Sequence, residues 1–334
     1  MRIEGSLTSV SWIPSEAVTG AFKIPFIAGM AHYDDPPPDE LGDPSALANT
    51  DRCRFANQLR AFIDVSNGEI VGHGMLGSGV VGSTTLRLGG AALTFAPVIF
   101  PTLRSEPLVS ATSVKFTQTC GARTGVPAPR LVARPPYVQY SAPTAWTTLE
   151  LELHLDGHST GGLTGASPFP RHWVYDHQGR LFQKSALIDF RTWSNDYFGD
   201  HTPWGSSDAA VLVSSVETAL ERQLGTLIMR AGDRPEIRNL EPGVRLCRQG
   251  ESGQELYLLL DGVLQVIVDD VPVAELGPGA VLGERALLEG GLRSSTLKAL
   301  TQCRVAIVAG SDVDRDKLEQ LARGHHRETT LQFE

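Results

Sequence analysis

The sequence predicts a mainly β protein of two domains joined by a helix. Three observations carry that reading. Short runs of period-2 hydrophobic alternation fill the first two-thirds, one stretch has helical spacing, and beyond Ala231 short strands return with a glycine at almost every turn. A chain of 334 residues suits about two domains with cores of their own.

Residues 147–155 alternate so that Leu149, Leu151, Leu153 and Leu155 share one face, the pattern of a half-buried strand. Comparable runs cover 61–65, 69–75, 84–88, 92–95, 113–118, 137–140, 172–175 and 181–185. Asn67-Gly68, Gly89-Gly90, residues 127–129 and Gln178-Gly179 punctuate them. Strands this short and closely spaced argue for a β-sandwich or barrel over residues 1–205.

From Ser206 the period changes. Leu212, Val216, Leu220, Leu224 and Leu227 follow helical spacing, and Ser206-Ser207-Asp208 offers oxygens to cap the first free N–H groups. Pro203 precedes this run and Ala231-Gly232-Asp233-Arg234-Pro235 stops it. The spacing predicts a connecting helix over 206–230 that acts as a hinge.

Residues 231–325 form the second domain. Strands at 255–260 and 263–268 flank Asp261-Gly262, a strong hairpin signal. Residues 297–308 read as a strand pair interrupted at Thr301-Gln302, and 314–323 as a helix with Leu318 and Leu321 on one side. The tail, 326–334, leaves no room for a DNA-reading helix-turn-helix.

Composition narrows the function classes. The net charge is −9, of which residues 231–334 carry −5, so neither half has the cationic surplus that nucleic-acid binding draws on. Cys53, Cys120, Cys247 and Cys303 lie far apart without a Cys-x-x-Cys pair; zinc and redox motifs have no footing, and free thiols suit a reducing cytoplasm. The first residues lack a basic stretch followed by an apolar one, and no run approaches about 18 apolar residues. The expected setting is cytoplasmic, with no membrane partner.

The segment 281–299 carries the chemistry. A short helical turn begins at Gly283-Glu284, and nine residues past Glu284 an arginine, Arg293, opens a strand. One acid and one base then flank a small cup. A cyclic nucleotide asks for those groups: its phosphate wants a guanidinium and N–H donors, its ribose 2′-hydroxyl a carboxylate.

The run Gly283-Glu284-Arg285-Ala286-Leu287-Leu288 followed by Arg293-Ser294-Ser295-Thr296 resembles the phosphate-binding cassette of cyclic nucleotide-binding domains, found in cAMP receptor transcription factors, kinase regulatory subunits and gated channels. Gly243, Gly250, Gly253, Gly262, Gly277 and Gly279 match that family's glycine framework, so the resemblance covers residues 225–325. It implies a double-stranded β-helix jelly roll with flanking helices. It also implies that Glu284 accepts from the ribose 2′-hydroxyl, Arg293 pairs with the phosphate, and Gly283, Ala286 and Leu287 shape the turn and its donors. Ser294 adds a donor, and Leu318 or Leu321 closes a lid over the purine. Arg285 departs from the family, where an aliphatic residue is usual; it either points to solvent or competes with Arg293 for Glu284. The bland alternative is a surface Glu284–Arg293 pair in a fold that no longer binds ligand. Ser294 favours cAMP only modestly over cGMP.

Three first-domain features compete for attention. Gly77-Ser-Gly79-Val-Val-Gly82 spells a dinucleotide fingerprint but precedes a β-branched run, so a glycine-rich turn or bulge is expected. His154 and His158 flank Asp156-Gly157, a hairpin turn that does not make a metal site by default. His172–Tyr175 and residues 200–205 are expected to cover a seam between sheet and helix. No catalytic constellation stands out in residues 1–205.

The expectation is therefore a bacterial-type cyclic nucleotide sensor needing no cofactor, its ligand cAMP or cGMP, acting through a protein partner of the N-terminal domain. A cAMP-gated enzyme with an active site in residues 1–205 and a ligand-silent structural or cargo-type protein are the alternatives.

Overall fold

The computed structural model describes residues 1–15, 17–18, 23–27, 32–50, 52–82, 84–88, 91–95, 98–99, 102–123, 128–131, 138–141, 144–189, 213–215, 221, 224–225, 228–229 and 235–324. The chain divides into two compact units, Met1–Leu212 and Val213–Glu334.

The first unit opens with β1 (Arg2–Trp12), the short helices α1 (Ile24–Ile27) and α2 (Pro44–Asn49), and the long hairpin β2 (Phe55–Ser66) and β3 (Glu69–Val81). Then come β4 (Thr84–Leu88), β5 (Ala91–Phe95), β6 (Val98–Ile99), β7 (Leu103–Arg104), β8 (Leu108–Val109) and β9 (Ser113–Arg123). It continues with β10 (Ala128–Leu131), β11 (Val138–Ser141), β12 (Thr144–His154), β13 (Ser159–Ala166), β14 (Arg171–Tyr175) and β15 (Leu181–Ser185). One antiparallel sheet runs β15-β14-β1-β2-β3 and the other β13-β12-β9-β6, with β7 and β8 also on β9. Side chains of β1 and β2 reach β12 and β9, so the two sheets stack as a sandwich.

Leu7, Leu59, Ile63, Phe116, Leu149, Leu151 and Leu153 are buried, each contributing roughly 1.5–3 kcal/mol. β1 is the strand that period-2 reading passes over, yet it sits between β2 and β14, in register from Arg2↔Asp64 to Ser11↔Phe55 and from Thr8↔Tyr175 to Trp12↔Arg171. The Gly77–Gly82 motif proves to lie in and just after β3, and a strand, β4, follows it. It is neither a nucleotide loop nor a turn. His172–Tyr175 lie in β14 and are all buried: Trp173 and Tyr175 pack with Leu47 and Ala48 of α2, a seam between sheet and helix, and Trp173 meets Trp12 edge-on at 5.1 Å. Residues 200–205 lie outside those described.

Part of the sandwich interior is polar, and several of its groups pair with one another, while Gln118 Oε1 is buried without a hydrogen-bond partner among the described residues. Ser9 Oγ lies 2.7 Å from Thr147 Oγ1; Asn57 Nδ2 donates to the Thr147 carbonyl at 3.0 Å; Gln118 Nε2 donates to Asn57 Oδ1 at 2.7 Å. His172 spans Ser11 Oγ at 2.7 Å and the Ser167 carbonyl at 2.9 Å. A carbonyl only accepts, so Nε2 carries the imidazole proton and Nδ1 accepts from Ser11. The four buried cysteines form no disulfide.

The second unit comprises β16 (Val213–Ser215), β17 (Glu236–Leu240), β18 (Arg245–Cys247), β19 (Glu255–Asp261), β20 (Leu264–Val268), β21 (Val271–Leu276) and β22 (Val281–Leu282). The helix α3 (Glu284–Leu288), β23 (Thr296–Ala299), β24 (Cys303–Ala309) and the helix α4 (Arg315–Gly324) complete it. Among the described residues two four-stranded antiparallel sheets, β17-β24-β19-β22 and β18-β23-β20-β21, form a β-roll. β19 is apolar on both faces because both are covered. Tyr257 and Leu259 face the roll interior with Leu264, Val266, Leu297 and Val305, while Leu256 and Leu258 meet Leu224, Ile228, Leu318 and Leu321 on the outside.

The roll corrects three expectations. Asp261-Gly262 makes no hairpin, since β19 and β20 belong to different sheets. Gly262, at φ 91°, turns the chain from one sheet to the other beside the Gln302 carbonyl. The two-residue hairpin is instead β20–β21, with Asp269 and Asp270 both at positive φ as a type I′ turn demands. The stretch 206–230 is not one helix: Val213–Ser215 is a strand, although 221, 224–225 and 228–229 are helical. Leu224 and Ile228 are buried with residues of β19 and α4 in the second unit's core. Leu318 and Leu321 lie in that same cluster and not over a ligand cavity. Residues 206–212 and the tail from 326 lie outside those described.

Burial pushes His172 down from 6.5 to about 4, against the hydrogen bond to Ser167, with nearby Arg171 adding to the shift. The unfolded chain therefore takes up this proton first, and stability falls as the pH drops from about 6.5 to about 4, by roughly 3 kcal/mol. Denaturant titrations of wild type and His172→Gln across that range check this; the variant's profile is expected to be flatter.

Candidate functional site

The site is built where β22 runs into α3. Gly283 caps this five-residue helix in the left-handed region, φ 94°, which a side chain would strain. Glu284 follows as its first residue and is buried, as is Ala286. Past Gly290 and Gly291, Arg293 is clamped by its backbone: its N–H donates to the Glu251 carbonyl and its own carbonyl accepts from Gly250, both at 2.8 Å.

The Arg293 side chain is buried. Nη2 donates to Glu255 Oε2 and to the Tyr257 hydroxyl, each at 2.8 Å, and Nη1 donates to the Glu255 carbonyl at 2.9 Å. Its guanidinium carbon stands 4.5 Å from the centre of the Tyr257 ring. A Cβ on Gly283 would lie 2.5 Å from Nη1, and one on Gly253 would collide with Nε. The guanidinium thus fills a slot that two glycines leave open.

Beside it is a cavity of about 300 Å³, the lower end of the range for small-molecule sites. Gly283, Glu284, Arg285, Ala286, Arg293 and Ser294 form its polar edge; Cys247, Val266, Ala274, Leu276, Leu282 and Leu297 form an apolar wall. Burial pushes the Tyr257 phenol and the Cys247 thiol up despite the Arg293 charge, so both stay protonated at neutral pH. A cation, a carboxylate and an apolar wall suit a small amphipathic anion that carries a hydroxyl. A second depression of about 360 Å³, bordered by Gly243, Arg245, Arg248 and Glu251, is open and mostly polar.

The structure brings Gly283, Glu284, Ala286, Arg293 and Ser294 to one cavity and leaves Leu287 off its wall, packed in the outer apolar cluster with Leu318 and Leu321. The ion pair of Arg293 is with Glu255, and not the surface pair with Glu284 that the bland alternative required. Arg285 pairs with Glu289 one turn on, at 3.7 Å. Sequence reading missed Glu255 and Tyr257. Their signal was a carboxylate and a phenol two apart at the start of a strand whose next three residues, Leu258–Leu260, are leucines. Among the described residues no group of three or more His, Cys, Asp or Glu side chains is placed to hold a metal ion, and no helix is long and apolar enough to cross a membrane.

Residues 237–321 match the family model of the cyclic nucleotide-binding domain. A cGMP-dependent protein kinase of Plasmodium berghei is 41% identical over 69 residues, 20% of this chain and 8% of the kinase. A cAMP-dependent protein kinase regulatory subunit of Eremothecium gossypii is 26% identical over 131 residues, 36% of this chain and 28% of the relative. The chain thus spans under a third of the length of either. A solved cyclic nucleotide-binding-like protein from Brucella abortus is 27% identical, with a TM-score of 0.22, over 30% of this chain and 80% of that one.

Gly253→Ala is expected to push the guanidinium off Glu255 and Tyr257 and to cost about 1–3 kcal/mol in a denaturant titration. A wild-type midpoint would show that the slot does not confine Arg293.

Proposed function

We propose that the second unit binds a purine cyclic nucleotide monophosphate, cAMP in preference to cGMP, and that the chain is a cytoplasmic ligand-responsive sensor whose first unit engages a protein partner. The observation that carries the reading is the buried Arg293 guanidinium on the wall of a cavity that also holds the Glu284 carboxylate. In this reading the cyclic phosphate meets Arg293 and the first turn of α3, the ribose 2′-hydroxyl donates to Glu284, and the base lies on the apolar wall. Ser294, exposed at the rim, supplies a further donor beside the phosphate.

Ligand capture has a physical route outward. Leu287 and Leu288 of α3, Leu318 and Leu321 of α4, and Leu224 and Ile228 share one apolar cluster. A shift of α3 toward bound phosphate repacks that cluster, biasing α4 and the helical residues near 224 between two arrangements.

Calorimetric titration of cAMP and cGMP into the full chain tests the reading. Arg293→Ala is expected to weaken binding about 10- to 150-fold, the worth of a lost charge-assisted bond. Equal affinity in wild type and variant, or no heat with either nucleotide, would remove the assignment.

A further inference from the structure

This inference rests on the nucleotide reading and concerns what occupies Arg293 before a ligand arrives. A guanidinium has five N–H donors. Three are committed: one of Nη1 to the Glu255 carbonyl, and both of Nη2 to Glu255 Oε2 and the Tyr257 hydroxyl. The remaining two, on Nε and Nη1, have no acceptor among the described residues.

These partners differ in how firmly they are fixed. The Glu255 carbonyl belongs to β19, the Tyr257 ring is buried in the roll core, and Gly253 and Gly283 fence the slot. None moves without disturbing the sheet. The Glu255 carboxylate is another matter: its side chain is 51% exposed while that of Arg293 is 3% exposed. Water replaces the arginine around such a carboxylate at small cost.

Charge then decides the order of events. With Glu255 in place the pair is neutral toward an incoming monoanion, while Glu284 stands on the same cavity edge as a further negative group. Two anions on one guanidinium with a third nearby repel each other. We propose that the Glu255 carboxylate is an internal stand-in for the ligand's phosphate: it holds Arg293 in the empty protein and must leave for solvent when the nucleotide binds. The exchange sets the affinity threshold of the site. The Glu255 carbonyl and the Tyr257 hydroxyl stay on the guanidinium throughout, so the cation remains aimed. A ligand without an anion, such as a nucleoside, has nothing to exchange and is rejected.

The test is calorimetric titration of cAMP and cGMP into the full chain as wild type, Glu255→Gln and Tyr257→Phe. Gln keeps the shape and an acceptor oxygen but loses the charge, so Glu255→Gln is expected to bind about fivefold more tightly than wild type. Tyr257→Phe removes a fixed aiming group and is expected to bind more weakly. General damage to the fold weakens both variants, so opposite signs are the signature of the stand-in. Nucleotide binding by wild type with equal or weaker binding by Glu255→Gln overturns the stand-in and leaves the nucleotide reading intact. No binding by any of the three overturns both.

Discussion

The second unit is organised around the burial of one guanidinium. Taking a cation out of water costs several kcal/mol unless charge and hydrogen bonds replace the water, and the fold spends much of its local design on that replacement. A carboxylate, a main-chain carbonyl and a phenol all face Arg293 from one strand, β19. The residues at 250–253 and 290–293 are laced to each other by main-chain hydrogen bonds, which fixes the arginine's own backbone. Glycines stand where any side chain would occupy the guanidinium's space. The cavity follows from these demands, because the arginine that satisfies them on one side still has donors on the other.

Much of this was legible in the sequence, for reasons that differ by element. The cassette was visible because acid, base and small residues lie within about a dozen positions of each other, so local spacing implies spatial proximity. Glu255 and Tyr257 were not, because they reach Arg293 from 38 and 36 residues away through sheet pairing that no local pattern encodes. Asp261-Gly262 looked like a hairpin since the dipeptide reports only that a tight turn occurs. Whether the next strand returns beside the last or crosses to another sheet is decided by the core: Leu259 and Leu264 share one interior from opposite walls.

Helical and strand periods failed in complementary ways. Of the helically spaced residues after Ser206, Leu224 is buried in the second unit's core and the other four lie outside those described, while Val213–Ser215 is extended; tertiary context overrode a weak local preference there. β1 went unread because Gly5, Ser6, Thr8, Ser9 and Ser11 dilute its alternation. Two of those polar residues are buried and paired: Ser9 meets Thr147 across the interior, and Ser11 meets His172 on the neighbouring strand β14. A strand whose buried face carries hydroxyls has no hydrophobic signature, although it is as enclosed as its neighbours.

That hydroxyl-lined interior has a mechanical consequence. Oil-like contacts between two sheets are nearly indifferent to a small slide, since one methyl group serves as well as the next. Ser9 on Thr147 and Asn57 on both Thr147 and Gln118 act as dowels. Sliding one sheet by a single residue would leave several of these groups buried without partners, each at a cost of about 1–3 kcal/mol. The first unit is therefore stiff in shear.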